Sequence, residues 1–215
     1  MSKIPKSFKA FRIHNDGDGY RAGVESIGID DLSDGDVVIR SEWSGINYKD
    51  ALAATGKGKI LKRFPLVGGI DVAGEVVKSA SDRFQPGDKV LVTGCNLSEK
   101  RDGGYSQYLR LDACDVVPLP DGLTTREAMG IGTAGFTAAI SLYRMEALGQ
   151  EPGSGAIVVT GASGGVGSFA IDILSGAGYE VHAITGKVQQ FDYLEQLGAR
   201  QCISRHELSW GEAPL

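Results

Sequence analysis

The sequence has few of the residues that build disulfide frameworks, metal centres and membrane spans. Three cysteines and three histidines are scattered through its 215 residues. An odd, widely spaced set of cysteines does not make a disulfide framework and predicts a reducing, cytoplasmic location. No apolar run approaches the roughly 18 residues that a membrane span needs, and the first residues lack the apolar core of a signal peptide. We therefore expect no membrane segment.

Basic residues are also outnumbered, with 22 Lys and Arg against 27 Asp and Glu. The net charge is −5 and the isoelectric point is about 5.2, which argues against a nucleic-acid-binding surface. Hydrophobic residues make up 42% of the chain, enough to bury one large core or two small ones. Composition therefore sets only modest bounds on the protein and leaves its function open.

A glycine-rich stretch, residues 155–167, is the most informative part of the sequence. Residues 156–159 form a short apolar run of the kind that fills a parallel sheet. The glycines after it let the backbone turn sharply, and a helix beginning near Gly165 would point free N–H groups at a ligand. The pattern predicts a dinucleotide site whose pyrophosphate contacts are Ser163, Gly164, Gly165, Val166 and Gly167. A glycine turn with a purely structural role is the alternative.

The end of the next predicted strand decides which dinucleotide is bound. A site for NAD places Asp or Glu there, about 20 residues past the glycines, to hold the ribose 2′-hydroxyl. This strand ends in Thr185, Gly186 and Lys187, with no acid in place. A hydroxyl, an open backbone and an ammonium group would accept a 2′-phosphate, which a carboxylate would repel. NADPH is therefore the predicted cofactor, unless Lys187 is only a solvated residue that opens the next helix.

The pattern of hydrophobic and turn residues changes near residue 125. Residues 1–125 carry short β-type runs between turn residues, which predicts a partly closed β-barrel. A helix is then predicted from the caps at Thr124 and Thr125 toward Leu148. Beyond it, an α/β pattern predicts a Rossmann-type parallel sheet within a second domain, residues 126–215. Its predicted elements are a strand at 156–160, a helix at 165–177, a strand at 179–185, a helix at 189–197 and a strand at 200–204.

Several blocks stand in an order that carries a family resemblance. They are residues 43–52 (WSGINYKDAL), 55–60 (TGKGKI), 64–65 (FP), 69–71 (GID), 131–137 (IGTAGFT) and 160–167 (TGASGGVG). Together they resemble the medium-chain dehydrogenase/reductase superfamily, in its zinc-free quinone-oxidoreductase branch, which includes NADPH-dependent acryloyl-CoA reductases. The resemblance covers essentially the whole chain. It implies a chaperonin-10-like barrel domain, a doubly wound Rossmann domain, a substrate site between them and a homodimer at full length.

Two similar enzyme classes do not fit the sequence. Short-chain dehydrogenases share the glycine pattern, but none of the seven tyrosines here is followed by Lys at the spacing that their Tyr-x-x-x-Lys pair requires. Zinc alcohol dehydrogenases have Cys where this chain has Asn47, and Gly-His-Glu where it has Gly69-Ile70-Asp71. The histidines fall in different predicted elements, at positions 14, 182 and 206, so no zinc site is expected.

Without a metal, a serine nucleophile or paired acids, the cofactor must supply the chemistry. The resemblance then implies hydride transfer from NADPH to the C=C bond of an unsaturated thioester, most directly acryloyl-CoA. Asn47 and Tyr48 are the predicted catalytic residues, and Tyr48 is also a predicted cofactor contact, unless its ring only packs. Reduction of a quinone or small enone, and a catalytically weak NADPH-binding protein, are the alternatives.

Two features of the sequence leave further expectations. The dense basic cluster at Lys57, Lys59, Lys62 and Arg63 is explained by a solvated loop, or by contact with the phosphates of a coenzyme A thioester. A Rossmann domain normally has two βαβαβ halves, and only the first fits before Trp210–Leu215. We therefore expect the 215-residue chain to bind a 2′-phosphoadenosine ligand weakly and to show no reductase activity.

Overall fold

A computed structural model describes residues 4–208, so the sequence end at Trp210–Leu215 lies outside the described residues. The chain divides into two units, Met1–Thr133 and Ala134–Leu215. We call them unit 1 and unit 2. This division lies eight residues beyond the boundary at 125 that the sequence predicts, inside the long helix that links the two units.

Unit 1 is built mainly of antiparallel strands. They are β1 (Phe8–Asp16), β2 (Gly19–Ile27), β3 (Val37–Trp43), β4 (Leu66–Val67), β5 (Asp71–Ser79), β6 (Lys89–Thr93), β7 (Tyr108–Leu111) and β8 (Val117–Pro118). One sheet has the order β2-β1-β4 and the other has the order β7-β3-β5-β6-β8. Alternate β-branched and leucine side chains of the larger sheet point inward and form a core that includes Val37, Ile39, Val72, Val76, Val90 and Val92.

One helix, α1 (Tyr48–Thr55), stands in unit 1 between β3 and β4. It begins after Asn47, whose backbone N–H donates to the Asp50 carboxylate at 2.8 Å, as in a capping box. It ends at Gly56, which adopts the left-handed conformation (φ 69°) that terminates many helices. The sequence prediction did not include this helix.

Helix α2 (Thr125–Ala147) crosses from unit 1 into unit 2 and is interrupted at Gly132. At its start, the Thr124 hydroxyl accepts the Glu127 backbone N–H at 3.2 Å, and the Thr124 backbone N–H donates to the Glu127 carboxylate at 2.8 Å. The predicted N-cap and first-turn acid therefore form a capping box.

Unit 2 contains a three-stranded parallel sheet in the order β11-β10-β9. Its elements are β9 (Ile157–Thr160), α3 (Gly165–Gly176), β10 (Val181–Thr185), α4 (Phe191–Gln196) and β11 (Gln201–Ser204), with a short 3-10 helix (Val188–Gln190) before α4. The predicted βαβαβ order is thus confirmed, and each predicted strand or helix boundary lies within two residues of the observed one. Ile171, Leu174, Val181, Ala183 and Leu194 fill the core between sheet and helices. Within residues 4–208, no helix has the length and apolar character needed to cross a bilayer.

Candidate nucleotide-binding site

The carboxyl ends of the three parallel strands meet in unit 2. The loop after β9 bonds to β10 through the Ala162 N–H and the Ile184 carbonyl at 3.1 Å, and the loop after β11 bonds to β10 through the Arg205 N–H and the Thr185 carbonyl at 3.0 Å. Open α/β sheets bind ligands at this edge. The loops enclose a cavity of about 380 Å³, lined by Thr160, Gly161, Ser163, Ile184, Thr185, Gly186, Lys187 and Arg205.

The glycine turn brings the start of α3 against the end of β9. A Cβ added at Gly167 would lie 2.5 Å from the Gly161 carbonyl oxygen and 2.7 Å from the Ala162 Cα, so only glycine permits this approach. Helix α3 begins after Gly164, which has extended backbone angles, and its first turn contains no acidic residue. The first backbone N–H groups of a helix have no acceptor within the helix, so this exposed end favours an anion.

Two hydroxyls join the turn to β10. The Ser163 and Thr185 oxygens lie 2.8 Å apart, and the Lys187 backbone N–H donates to the Thr185 oxygen at 3.1 Å. Thr185 is only 4% exposed. The Thr185 hydroxyl therefore orders the loop in this structure, and its predicted contact with the 2′-phosphate stays a prediction.

Two cations stand at this loop, one of which the sequence prediction missed. Lys187 follows β10, as expected, and Arg205 comes from the loop after β11. The Arg205 side chain packs so closely on Gly186 that a Cβ there would lie 2.6 Å from the guanidinium Nε. Among residues 4–208, no Asp or Glu lines this cavity. Arg205 could have been found from the predicted strand at 200–204, because parallel strands end at the same edge of a sheet.

The predicted catalytic residues, Asn47 and Tyr48, belong to unit 1. The Asn47 amide Nδ2 donates to the Asp71 carboxylate at 2.8 Å. Tyr48 is the first residue of α1, its side chain is 80% exposed, and its hydroxyl forms no hydrogen bond with any residue in the described part of the chain. Most of the Tyr48 residue is therefore uncovered by the described part of the chain.

A second tyrosine lies behind this segment. The Tyr105 hydroxyl donates to the Gly45 carbonyl at 3.0 Å. Burial above all, and then the negative charge of Asp50, raise the pKa of Tyr105 well above its usual value. Tyr105 therefore stays protonated and keeps the loop before Asn47 in place.

Arg63 and two of the histidines have partners elsewhere in the described part of the chain. Arg63 bonds to the Ser33 hydroxyl at 2.6 Å, the Lys100 carbonyl at 2.9 Å and the Asp102 carboxylate at 3.3 Å, so the loop that carries it is fastened by these contacts. His14 faces Glu25, and His182 faces Glu180. Among residues 4–208, no three His, Cys, Asp or Glu side chains are grouped so that they could hold a metal ion.

Comparison with known proteins places these features in one family. The model of the alcohol dehydrogenase GroES-like domain matches residues 33–121, within unit 1. YhfP of Bacillus subtilis, provisionally named a quinone oxidoreductase, is 45% identical over 94% of this chain and 61% of its own length. The acrylyl-CoA reductase AcuI of Ruegeria pomeroyi is 47% identical over 88% of this chain and 57% of its own length.

Solved structures agree with this likeness. The yhdH oxidoreductase of Salmonella enterica, in complex with NADP, is 43% identical and superposes with a TM-score of 0.91 over 95% of this chain and 63% of its own. The structure of B. subtilis YhfP with NAD bound is 44% identical and superposes with a TM-score of 0.89 over 96% of this chain and 63% of its own. This chain thus spans about three fifths of the length of these relatives. It belongs to the medium-chain dehydrogenase/reductase superfamily, in the branch of the quinone oxidoreductases and acrylyl-CoA reductases.

Proposed function

We propose that the protein is an NADPH-dependent oxidoreductase and that unit 2 holds the adenosine end of the cofactor. One observation carries the proposal: the cavity at the end of β10 is bordered by Lys187 and Arg205 and lined by no carboxylate. Two cations beside a ribose site suit a 2′-phosphate, whereas an NAD site would place an acid there to bind the 2′-hydroxyl. The likeness to structures bound to NADP supports this assignment.

The residues of the turn fit the rest of a dinucleotide. Ser163, Gly164, Gly165, Val166 and Gly167 present the N–H groups and small side chains that would receive the pyrophosphate at the start of α3. Thr185 accepts the Lys187 backbone N–H at 3.1 Å, and Gly186 leaves room for the Arg205 side chain. When bound, NADPH supplies the hydride, and the protein has to orient substrate, exclude water and provide a proton.

Asn47 and Tyr48 are the residues that we propose for that chemistry. The exposed Tyr48 hydroxyl is able to donate a proton to the substrate's α-carbon or to contact the nicotinamide. Asn47 commits one N–H of its amide to Asp71 and has a second to offer to a substrate carbonyl, where negative charge develops as the C=C bond is reduced.

The proposed substrate is an α,β-unsaturated thioester, most directly acryloyl-CoA. The relative AcuI, named an acrylyl-CoA reductase, supports it. A quinone or small enone is the second candidate, supported by the comparably similar relative YhfP. Homodimer formation and a cytoplasmic location remain parts of the proposal. The free thiols of Cys95, Cys114 and Cys202 are compatible with a reducing compartment.

A substrate panel tests the reaction. The protein, in the length that its gene encodes, is mixed with NADPH and acryloyl-CoA, crotonyl-CoA or a benzoquinone, and the absorbance of the reduced nicotinamide is followed beside the 215-residue chain. Fastest turnover with an unsaturated thioester supports the proposal, and fastest turnover with the quinone supports the second candidate. Tight 2′,5′-ADP binding with no turnover would instead indicate a catalytically weak NADPH-binding protein.

A further inference from the structure

Three of the sequence blocks that carry the family resemblance meet at one buried carboxylate of unit 1. Asp71, the first residue of β5, is 1% exposed. Its Oδ2 accepts hydrogen bonds from Asn47 Nδ2 at 2.8 Å and from the Thr133 backbone N at 3.1 Å, and the Thr133 hydroxyl donates to Oδ1. The carboxylate therefore joins the start of α1 to the middle of α2.

The break in α2 creates this contact. Gly132 has φ 49° and ψ −157°, a conformation that L side chains rarely adopt, and a Cβ there would lie 2.9 Å from Asp71 Oδ2. Thr133 thus opens a new helical segment, and its backbone N–H is one of those with no acceptor inside that segment. The positive end of the helix dipole favours the Asp71 carboxylate at this point.

Asp71 has no cationic partner among the described residues, since none of the ion pairs found there includes it. A buried carboxylate is tolerated only when hydrogen-bond donors replace the water it has lost. The donors of Asn47 and Thr133 therefore have to remain at Asp71. Asp102 differs: it is also 2% exposed, but it bonds to Ser33 and faces the Arg63 guanidinium at 3.3 Å.

We propose that Asp71 is a positioning residue that fixes Asn47, and with it the start of α1 where Tyr48 stands. Asp50 holds the backbone N–H of Asn47 at 2.8 Å, and Asp71 holds its side-chain amide, so backbone and side chain are fastened separately. The hydrogen bonds of Asp71 are seen in the structure itself, whereas their consequence for the binding of cofactor and substrate rests on the proposed function.

Amide hydrogen exchange, followed by NMR in the 215-residue chain, tests the positioning. Asp71→Asn leaves one neutral acceptor oxygen in place of two charged ones, so the bonds that remain are weaker, and we expect the Asn47 side-chain amide and the Thr133 backbone N–H to lose at least tenfold in protection. The matched control is Asp102→Asn, which removes another buried carboxylate of unit 1 and should leave both groups protected. Unchanged protection in Asp71→Asn, or equal loss in both variants throughout unit 1, would overturn the proposal.

Two further measurements complete the test. If Asp71→Asn does not fold, Asp71→Glu keeps the charge but displaces the carboxylate by one methylene, so the Asn47 amide should lose protection relative to the Asp102→Asn control; an unchanged Asn47 amide would overturn the proposal. The ratio of NADPH to 2′,5′-ADP affinity reports the functional consequence and should fall in Asp71→Asn alone. A ratio of one in the unmodified chain would count against the proposed nicotinamide contact, while hydrogen exchange still decides the role of Asp71.

Discussion

Replacing Arg205 should weaken nucleotide binding only when the ligand carries a 2′-phosphate. The guanidinium packs on Gly186 at the wall of the cavity, and Lys187 is the only other cation that the described residues contribute to the lining. A hydrogen bond to a charged group is worth about 1.5–3 kcal/mol, and each 1.4 kcal/mol corresponds to a factor of ten in affinity. Arg205→Gln should therefore weaken 2′,5′-ADP binding roughly 10- to 100-fold, and Arg205→Glu should weaken it further through repulsion.

The assay is titration calorimetry with 2′,5′-ADP and with 5′-ADP, which lacks the 2′-phosphate. Arg200 provides the matched control because it precedes β11 while Arg205 follows it, so Arg200→Glu makes the same charge change at the opposite end of the strand. We expect Arg200→Glu to leave both affinities within about twofold, since exposed charges beyond a Debye length are screened. Equal losses for the two ligands in Arg205→Glu, or equal losses in both variants, would refute the assignment of Arg205 to the 2′-phosphate.

Three other changes test separate parts of the account. Gly167→Ala places a methyl group 2.5 Å from the Gly161 carbonyl oxygen. It should therefore lower the free energy of unfolding, measured in urea, by about 1–3 kcal/mol. It should also abolish 2′,5′-ADP binding, measured by calorimetry. Tyr48→Phe should keep the melting temperature, because the side chain is 80% exposed, yet reduce turnover of the gene's full product roughly 10²-fold. The Lys89 ammonium, bonded at 2.6 Å, lowers the pKa of the Glu42 carboxyl, so Lys89→Gln should reduce the dependence of urea unfolding on pH below about 4.5.

The sign of the pH effect follows from the direction of the shift. A carboxyl whose pKa is lowered in the folded state adds stability above its unfolded pKa, and this stability is lost as the pH falls through the folded pKa. The partly exposed pair contributes on the order of 1 kcal/mol or less. Identical acid sensitivity in Lys89→Gln, unchanged turnover in Tyr48→Phe, or normal nucleotide binding by Gly167→Ala would each contradict the corresponding argument.

Sequence alone predicted unit 2 well because its signals are local. The apolar run of β9, the glycines before α3 and the apolar residues of β10 each lie within a few neighbouring positions. Unit 1 was harder to read. The strand β2 is exposed along almost its whole length, so it lacks the inside–outside alternation that marks a strand. Helix α1 is short, and its signals, Asn47 with Asp50 and then Gly56, were not combined.

The residues missed in the sites depend on contacts between distant parts of the chain. Arg205 reaches the loop of Lys187 only because β11 pairs in parallel with β10. In the sequence, Asp71 stands out only by its departure from a zinc-binding pattern, because its bonds to Asn47 and Thr133 join three separate segments. Patterns in the amino-acid sequence show which residue types are present, whereas tertiary packing decides which of them share a site.

Nucleotide binding by the unmodified 215-residue chain decides whether unit 2 prefers a ligand with a 2′-phosphate. Its affinities for NADPH and NADH, and for 2′,5′-ADP and 5′-ADP, are measured by calorimetry under one set of salt and pH conditions. With Lys187 and Arg205 beside a cavity lined by no carboxylate, we predict that the 2′-phosphorylated member of each pair binds at least roughly tenfold more tightly. Equal affinities within each pair would contradict the account.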